Sequence, residues 1–268
     1  MSAANSKSGD SIRIEKLGQG EPRHVIVGSV HGDEPCGKNA IERFLETGIE
    51  VEKPVKFIIA NEEALEEDTR FLDTDLNRSF PGDSESDSHE ERLAARISEH
   101  LEGKVLDIHS TRSYPRPFAT LTYMNEGTYE LARATGAENI VHFPEESGTL
   151  HEQVDEGLVI EVGYQGTEGA SERAYGMLLN FLAARGIIDG EYELSDPAIL
   201  RYYETVEGRG YEFTGENFEP VRKGEVYARR GEEELRAEED FYPVLMSTSG
   251  YEDKLGFKAK KVELEEAI

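Results

Sequence analysis

The sequence predicts an α/β protein: a mixed, mostly parallel sheet flanked by helices, with a small β-rich domain at its C-terminal end. Three observations point there. Short apolar runs, among them HVIVG (24–28), VKFII (55–59) and GLVIEVG (157–163), read as strands buried on both faces. Stretches with helical periodicity separate them, as a sheet covered by helices requires. After about residue 190 the alternation stops, and five apolar runs follow between Gly- and charge-rich turns, with no convincing helix. The boundaries read as 11–190 for the α/β domain and 191–268 for the β-rich one.

Taken in order, residues 11–17 and 23–29 are strands split by the turn GQGEP. DEPCGKNAIERFLETG (33–48) is a helix with Asp33 as N-cap, Pro35 in the first turn and Gly48 at its end. VKFIIA (55–60) is a buried strand and NEEALEED (61–68) a helical turn. The stretch 69–86 offers turn residues without a period and reads as a loop. SHEERLAARISEHLEG (88–103) is a helix ended by Gly103, and KVLDIHS (104–110) a strand. FATLTY (118–123), a helix near 127–136, NIVHF (139–143), GLVIEVG and the helix 171–186 continue the alternation. In the β-rich part the strands are AILRYYETVEG (198–208), YEFTG (211–215), EVYARR (225–230), FYPVLMSTS (241–249) and GFKAKKVEL (256–264).

The 268 residues carry a formal net charge of −27, which argues against nucleic acid phosphates and anionic membranes as partners. No apolar run approaches the roughly 20 residues that span a bilayer. The first ten residues are polar and lack the apolar core of a secretory signal. A single cysteine, Cys36, excludes an internal disulfide and fits a reducing cytoplasm. The acidic residues are scattered rather than blocked, and lysine is scarce, with 11 Lys against 18 Arg. Such a surface suits a salt-loving organism, so the charge describes habitat rather than function. Composition leaves a homo-oligomer open.

In open α/β sheets, ligands gather at the carboxyl ends of strands. His31 and Glu34 follow the strand HVIVG, His109 ends KVLDI, and Glu161 interrupts the last apolar run of the α/β domain. Two imidazoles and one carboxylate suit a tetrahedral zinc with its fourth position open to water. Cobalt or manganese would fit the same set. Glu161 would take a proton from that water and hand it to a leaving amine. Singly, an H-x-x-E pair also reads as a solvated loop, and a histidine at a strand end as an ordinary hydrogen-bonded residue. Their shared placement joins them, and a carboxylate within a buried run is costly unless paired. Arg70 and Arg78 are fork-shaped donors for a carboxylate or a polarised carbonyl, with Asn77 supplying an amide; the alternative is a pair of surface arginines.

In this order and at these intervals, GSVHGDEPCG (28–37), DTDLNRSFPG (73–82), DIHST (107–111) and VIEVG (159–163) resemble the succinylglutamate desuccinylase/aspartoacylase family, related to the zinc carboxypeptidases. EPVRKGEVYA (219–228) and FYPVLMSTSGYEDKLGF (241–257) are similar to that family's C-terminal β domain. The resemblance implies a zinc carboxypeptidase-like fold and a deacylase of small N-acyl amino acids, of N-acetyl or N-succinyl type. It implies one Zn2+ per chain on His31, Glu34 and His109, with Glu161 activating the bound water and Arg70 polarising the scissile carbonyl. Asn77 and Arg78 would grip the α-carboxylate, and Tyr251 would reach into the pocket from the capping β domain. The family also uses a further basic residue for a second carboxylate, for which Arg112 and Arg116 are candidates by proximity alone. Two alternatives share parts of this pattern: a carboxypeptidase acting on short peptides, and a non-catalytic metal-dependent binding protein. Cys36 reads as a small buried residue, and His151 as either a pocket or a structural histidine.

The halophilic reading has a direct test. Carboxylate repulsion reaches about 10 Å at 0.1 M salt and only about 3 Å at 1 M. The thermal midpoint in potassium chloride is therefore expected to rise from about 0.1 M to beyond 1 M, and a flat or falling midpoint would assign the acidity another cause.

Overall fold

A computed structural model describes residues 12–268. The polar first ten residues, and Ser11 where the first strand was expected to begin, lie outside the described residues. Strand β1 (Arg13–Leu17) and strand β2 (His24–Gly28) flank the expected turn, and every residue of β2 is buried. Helix α1 (Cys36–Thr47) follows and ends at Gly48, whose φ of 66° is the left-handed conformation glycine adopts most readily. Its N-cap is Pro35, not Asp33; the Asp33 carboxylate instead accepts from Arg112 at 2.9 Å. Then come β3 (Val55–Ile59), α2 (Glu62–Glu66), a 3-10 turn at Leu76–Arg78 within the expected loop, and α3 (His89–Ser98). Next are β4 (Lys104–Thr111), β5 (Phe118–Leu121), α4 (Glu126–Thr135), β6 (Asn139–His142), a 3-10 turn at His151–Gln153, β7 (Glu156–Tyr164) and α5 (Glu168–Ala184).

The C-terminal region holds β8 (Ala198–Glu207), β9 (Glu212–Phe213), β10 (Val226–Arg230), β11 (Glu233–Arg236), β12 (Tyr242–Val244), β13 (Lys254–Val262) and the short helix α6 (Leu264–Ala267). Two departures from the sequence reading stand out. Strand β11, EELR, has no apolar pattern and exists through its antiparallel pairing with β10. A four-residue helix closes a region expected to have none.

Ten strands form one mixed sheet in the order β1-β3-β2-β4-β7-β5-β6-β8-β13-β12, and β11-β10-β9 form a second, smaller sheet. The centre β3-β2-β4-β7 is parallel throughout, as is β5-β6-β8, while β7 and β5 run antiparallel. Both faces are covered. Ile26 of β2, Leu106 of β4 and Ile160 of β7 pack under α1, α4 and α5, with Phe44 and Phe181 among the helix residues. Val25, Val27 and Val105 point the other way, against Leu93 and Ile97 of α3. This is the period-two split expected of strands buried on both sides. No helix among the described residues is long and apolar enough to cross a membrane.

One contact sets how α1 meets the sheet. A Cβ on Gly28 would stand 2.6 Å from the Gly37 carbonyl carbon, and one on Gly37 would stand 2.9 Å from the Ile108 carbonyl oxygen. Backbone touches backbone here, so only glycine fits at either position. Gly37→Ala is expected to lower stability by about 1–3 kcal/mol through overpacking, read as a lower denaturant midpoint. An unchanged midpoint would mean that α1 can stand off from β2 without loss.

Candidate metal and catalytic site

The loop from Ser29 to Pro35 joins β2 to α1 and carries the first two site residues. Ser29 takes a left-handed φ of 57°, uncommon for a residue with a side chain. Its hydroxyl donates to the Glu34 carbonyl at 3.2 Å, and the Glu34 N–H donates to the His31 carbonyl at 3.1 Å. This knot turns both side chains back over the strand ends. His109 stands near the end of β4, directly opposite Glu161 in the β4–β7 register.

His31 Nδ1 lies 3.0 Å from Glu34 Oε1, and His109 Nδ1 lies 3.2 Å from Glu34 Oε2. One donor atom from each of the three buried residues falls within 4.8 Å of the others. The outer nitrogen of each ring meets a carboxylate: His31 Nε2 is 3.0 Å from Asp75 Oδ1, and His109 Nε2 is 2.8 Å from Asp107 Oδ2. Such carboxylate–histidine pairs orient imidazoles that ligate metal through the inner nitrogen. The donor set, two nitrogens and one carboxylate oxygen turned toward one another, fits a divalent cation with one position open.

Burial disfavours charge on all three groups, yet their mutual attraction prevails. Burial lowers the His109 pKa, but Asp107 and Glu34 lift it well above the ordinary value; Glu34 and Asp75 likewise raise that of His31. Glu34, despite burial, is held well below the usual carboxylate range by both imidazoles. Glu161 behaves oppositely. Burial, and then the nearby charge of Glu34, push its carboxyl up to about 7, and its Oε2 is buried without a hydrogen-bond partner among the described residues. Burial also pushes the Cys36 thiol up to about 12, the behaviour of a small buried residue.

The structure brings all eight expected site residues to one cavity of about 650 Å³. Arg70 donates from Nη1 to Glu34 Oε1 at 3.1 Å and from Nε and Nη2 to Asp75 Oδ2 at 3.2 and 3.1 Å. The side-chain Oδ1 of Asn77 accepts from the Leu150 N–H at 2.9 Å, which leaves its Nδ2 as a donor for the cavity. Arg78 is ion-paired with Glu146. Tyr251 arrives from the loop before β13, its phenol pushed up by burial and by Glu161. Arg112 lines the cavity but is bound to Asp33 and Gln165, whereas Arg116 lies outside the lining and pairs with Glu216. His151 lines the cavity; burial holds its pKa down at about 4. The two orienting carboxylates, Asp75 and Asp107, were missed. For Asp107 a signal existed, since residues two apart on a strand share a face and Asp107 precedes His109 by two.

Comparison with known proteins places the chain in a family. Residues 21–183 match the succinylglutamate desuccinylase/aspartoacylase catalytic domain. An N-acyl-aromatic-L-amino acid amidohydrolase (carboxylate-forming) of Xenopus tropicalis is 34% identical over 104 residues, 33% of this chain and 34% of that protein. Rattus norvegicus aspartoacylase is 36% identical over 107 residues, 33% of this chain and 34% of that protein. The chain thus spans about a third of the length of the curated relatives it matches. In fold, a succinylglutamate desuccinylase/aspartoacylase from Rhodobacter sphaeroides superimposes with a TM-score of 0.75 at 22% identity, covering 93% of this chain and 89% of that one. With its family domain matched over more than half its length, the chain belongs to the succinylglutamate desuccinylase/aspartoacylase family.

Proposed function

We propose that this protein is a zinc-dependent deacylase that hydrolyses the amide bond of a small N-acyl amino acid, releasing a carboxylate and a free amino acid. The observation that carries the reading is the buried His31–Glu34–His109 donor cluster beside Glu161, whose Oε2 has no partner among the described residues, in the cavity that Arg70 and Asn77–Arg78 also line. Amidohydrolase relatives support the same class of reaction.

His31, Glu34 and His109 hold the cation, which when bound supplies Lewis acidity toward the amide carbonyl and toward water. Glu161 serves as the base. It accepts a proton as the water oxygen bonds to the acyl carbon, and delivers it to nitrogen as the C–N bond breaks. Burial favours its protonated form, which suits a group that must give up the proton it takes. Arg70 is a fork donor at the cavity edge, and it stabilises the acyl oxygen as that atom gains negative charge. The Asn77 amide and the Arg78 guanidinium hold the α-carboxylate. Tyr251 closes the pocket from the C-terminal side.

Two outcomes test this. Zinc is expected to bind once per chain, releasing protons at neutral pH, because the two raised imidazoles must give theirs up. Affinity therefore falls as pH falls, and His109→Ala loses the metal. Calorimetry in buffers of differing ionisation enthalpy reads the proton count; tight binding by the alanine variant would show the ligands to be wrong. Glu161→Gln is expected to keep zinc and fold but to lose about 10²–10⁴-fold in turnover of an N-acetyl amino acid. Near-normal turnover would remove Glu161 from the mechanism.

A further inference from the structure

Away from the donor cluster, the cavity runs along β7 and β5. Val159 precedes Glu161 by two residues and shares its face, and Thr120 of β5 stands opposite Val159 in the antiparallel register. His151, in the 3-10 turn before β7, completes this floor. Its segment is strapped to the residues assigned to the α-carboxylate. Leu150 N–H donates to the side-chain Oδ1 of Asn77 at 2.9 Å, and Phe80 N–H donates to the Gly148 backbone carbonyl at 3.1 Å. His151 therefore borders the residues assigned to the α-carboxylate, within reach of the side chain of a ligand held there.

The charge of this floor is the informative part. His151 Nε2 lies 2.9 Å from the Thr122 hydroxyl, its Nδ1 has no partner among the described residues, and burial keeps the ring neutral. Thr120 and Val159 carry no charge. Of the cavity's arginines, Arg70 and Arg78 are already assigned to the acyl oxygen and the α-carboxylate, and Arg112 is bound to Asp33 and Gln165. A second carboxylate would thus be buried without a cation, which is strongly unfavourable. Lys254 lines the cavity too, but its Nζ sits over the Tyr251 and Phe257 rings, 5.1 Å from each centre, on the C-terminal wall.

We propose that His151, Thr120 and Val159 form a side-chain subsite that selects N-acyl amino acids with uncharged side chains over those bearing a second carboxylate. This rests on the deacylase reading above. The test is kcat/KM of the zinc-loaded protein for N-acetyl-L-phenylalanine and N-acetyl-L-leucine against N-acetyl-L-aspartate and N-acetyl-L-glutamate. Uncharged side chains are expected to win by about tenfold or more. His151→Arg, which places a fork donor on the floor, is expected to move the ratio toward aspartate by a similar factor. Lys254→Gln is expected to leave the ratio where it stands. A wild-type preference for aspartate or glutamate overturns the proposal, and its loss in Lys254→Gln would identify that lysine as the reader of the second carboxylate. Should His151→Arg fail to fold, the wild-type ratio alone decides. Calorimetric binding of free phenylalanine and aspartate separates the two readings: phenylalanine bound more tightly without hydrolysis of any substrate would sink the deacylase reading and keep the subsite.

Discussion

Everything in the site depends on one carboxylate that water does not reach. Glu34 is almost wholly buried, and each of its oxygens has two partners: Oε1 faces His31 and Arg70, Oε2 faces His109 and the Ser110 N–H. An unpaired carboxylate there would cost several kcal/mol. The partners are themselves balanced further out, His31 and Arg70 by Asp75, and His109 by Asp107. Positive and negative groups alternate outward from Glu34 to both ends. In a low-dielectric interior such a chain is strong when complete and poor when one member is missing. It holds the two imidazoles at fixed angles before any ligand arrives.

The chain can exist because backbone geometry delivers its members. Parallel pairing of β2 with β4 sets Gly28 beside Ile108, so the loop after Gly28 folds over His109. Pairing of β4 with β7 sets Glu161 beside His109, and a slip of one residue would turn Glu161 to the other face. The Gly28–Gly37 contact lets α1 begin almost on the strand, which keeps the intervening loop short and tight.

Much of this was legible in the sequence, for a physical reason. His31, Glu34, His109 and Glu161 are polar groups at or inside apolar runs, where an uncompensated charge is too costly to be accidental. The strands and helices of the first 185 residues announce themselves through burial on one or both faces. What stayed hidden depends on partners remote in sequence. Asp33 looks like a helix cap, but the Arg112 guanidinium, distant along the chain, claims it. Strand β11 is charged at every position but Leu235 and is paired with β10 alone. Asp107 looks like one more residue of a buried strand until His109 is seen to share its face.

The junction between β6 and β8 has a mechanical meaning. These strands are hydrogen-bonded in parallel from Asn139–Ala198 to His142–Arg201, and β13 adds to β8 on the far side. Phe118 and Val141 pack in one cluster with Leu200, Val244 and Ala259. The wall that carries Tyr251 is therefore riveted to the floor by a continuous ladder and a common apolar interior, so it cannot swing as a hinged jaw. What is left to move at this rim are side chains and the stretch between β12 and β13. Motions of that kind run on nanosecond to microsecond scales, faster than the microsecond-to-millisecond rotation of whole domains.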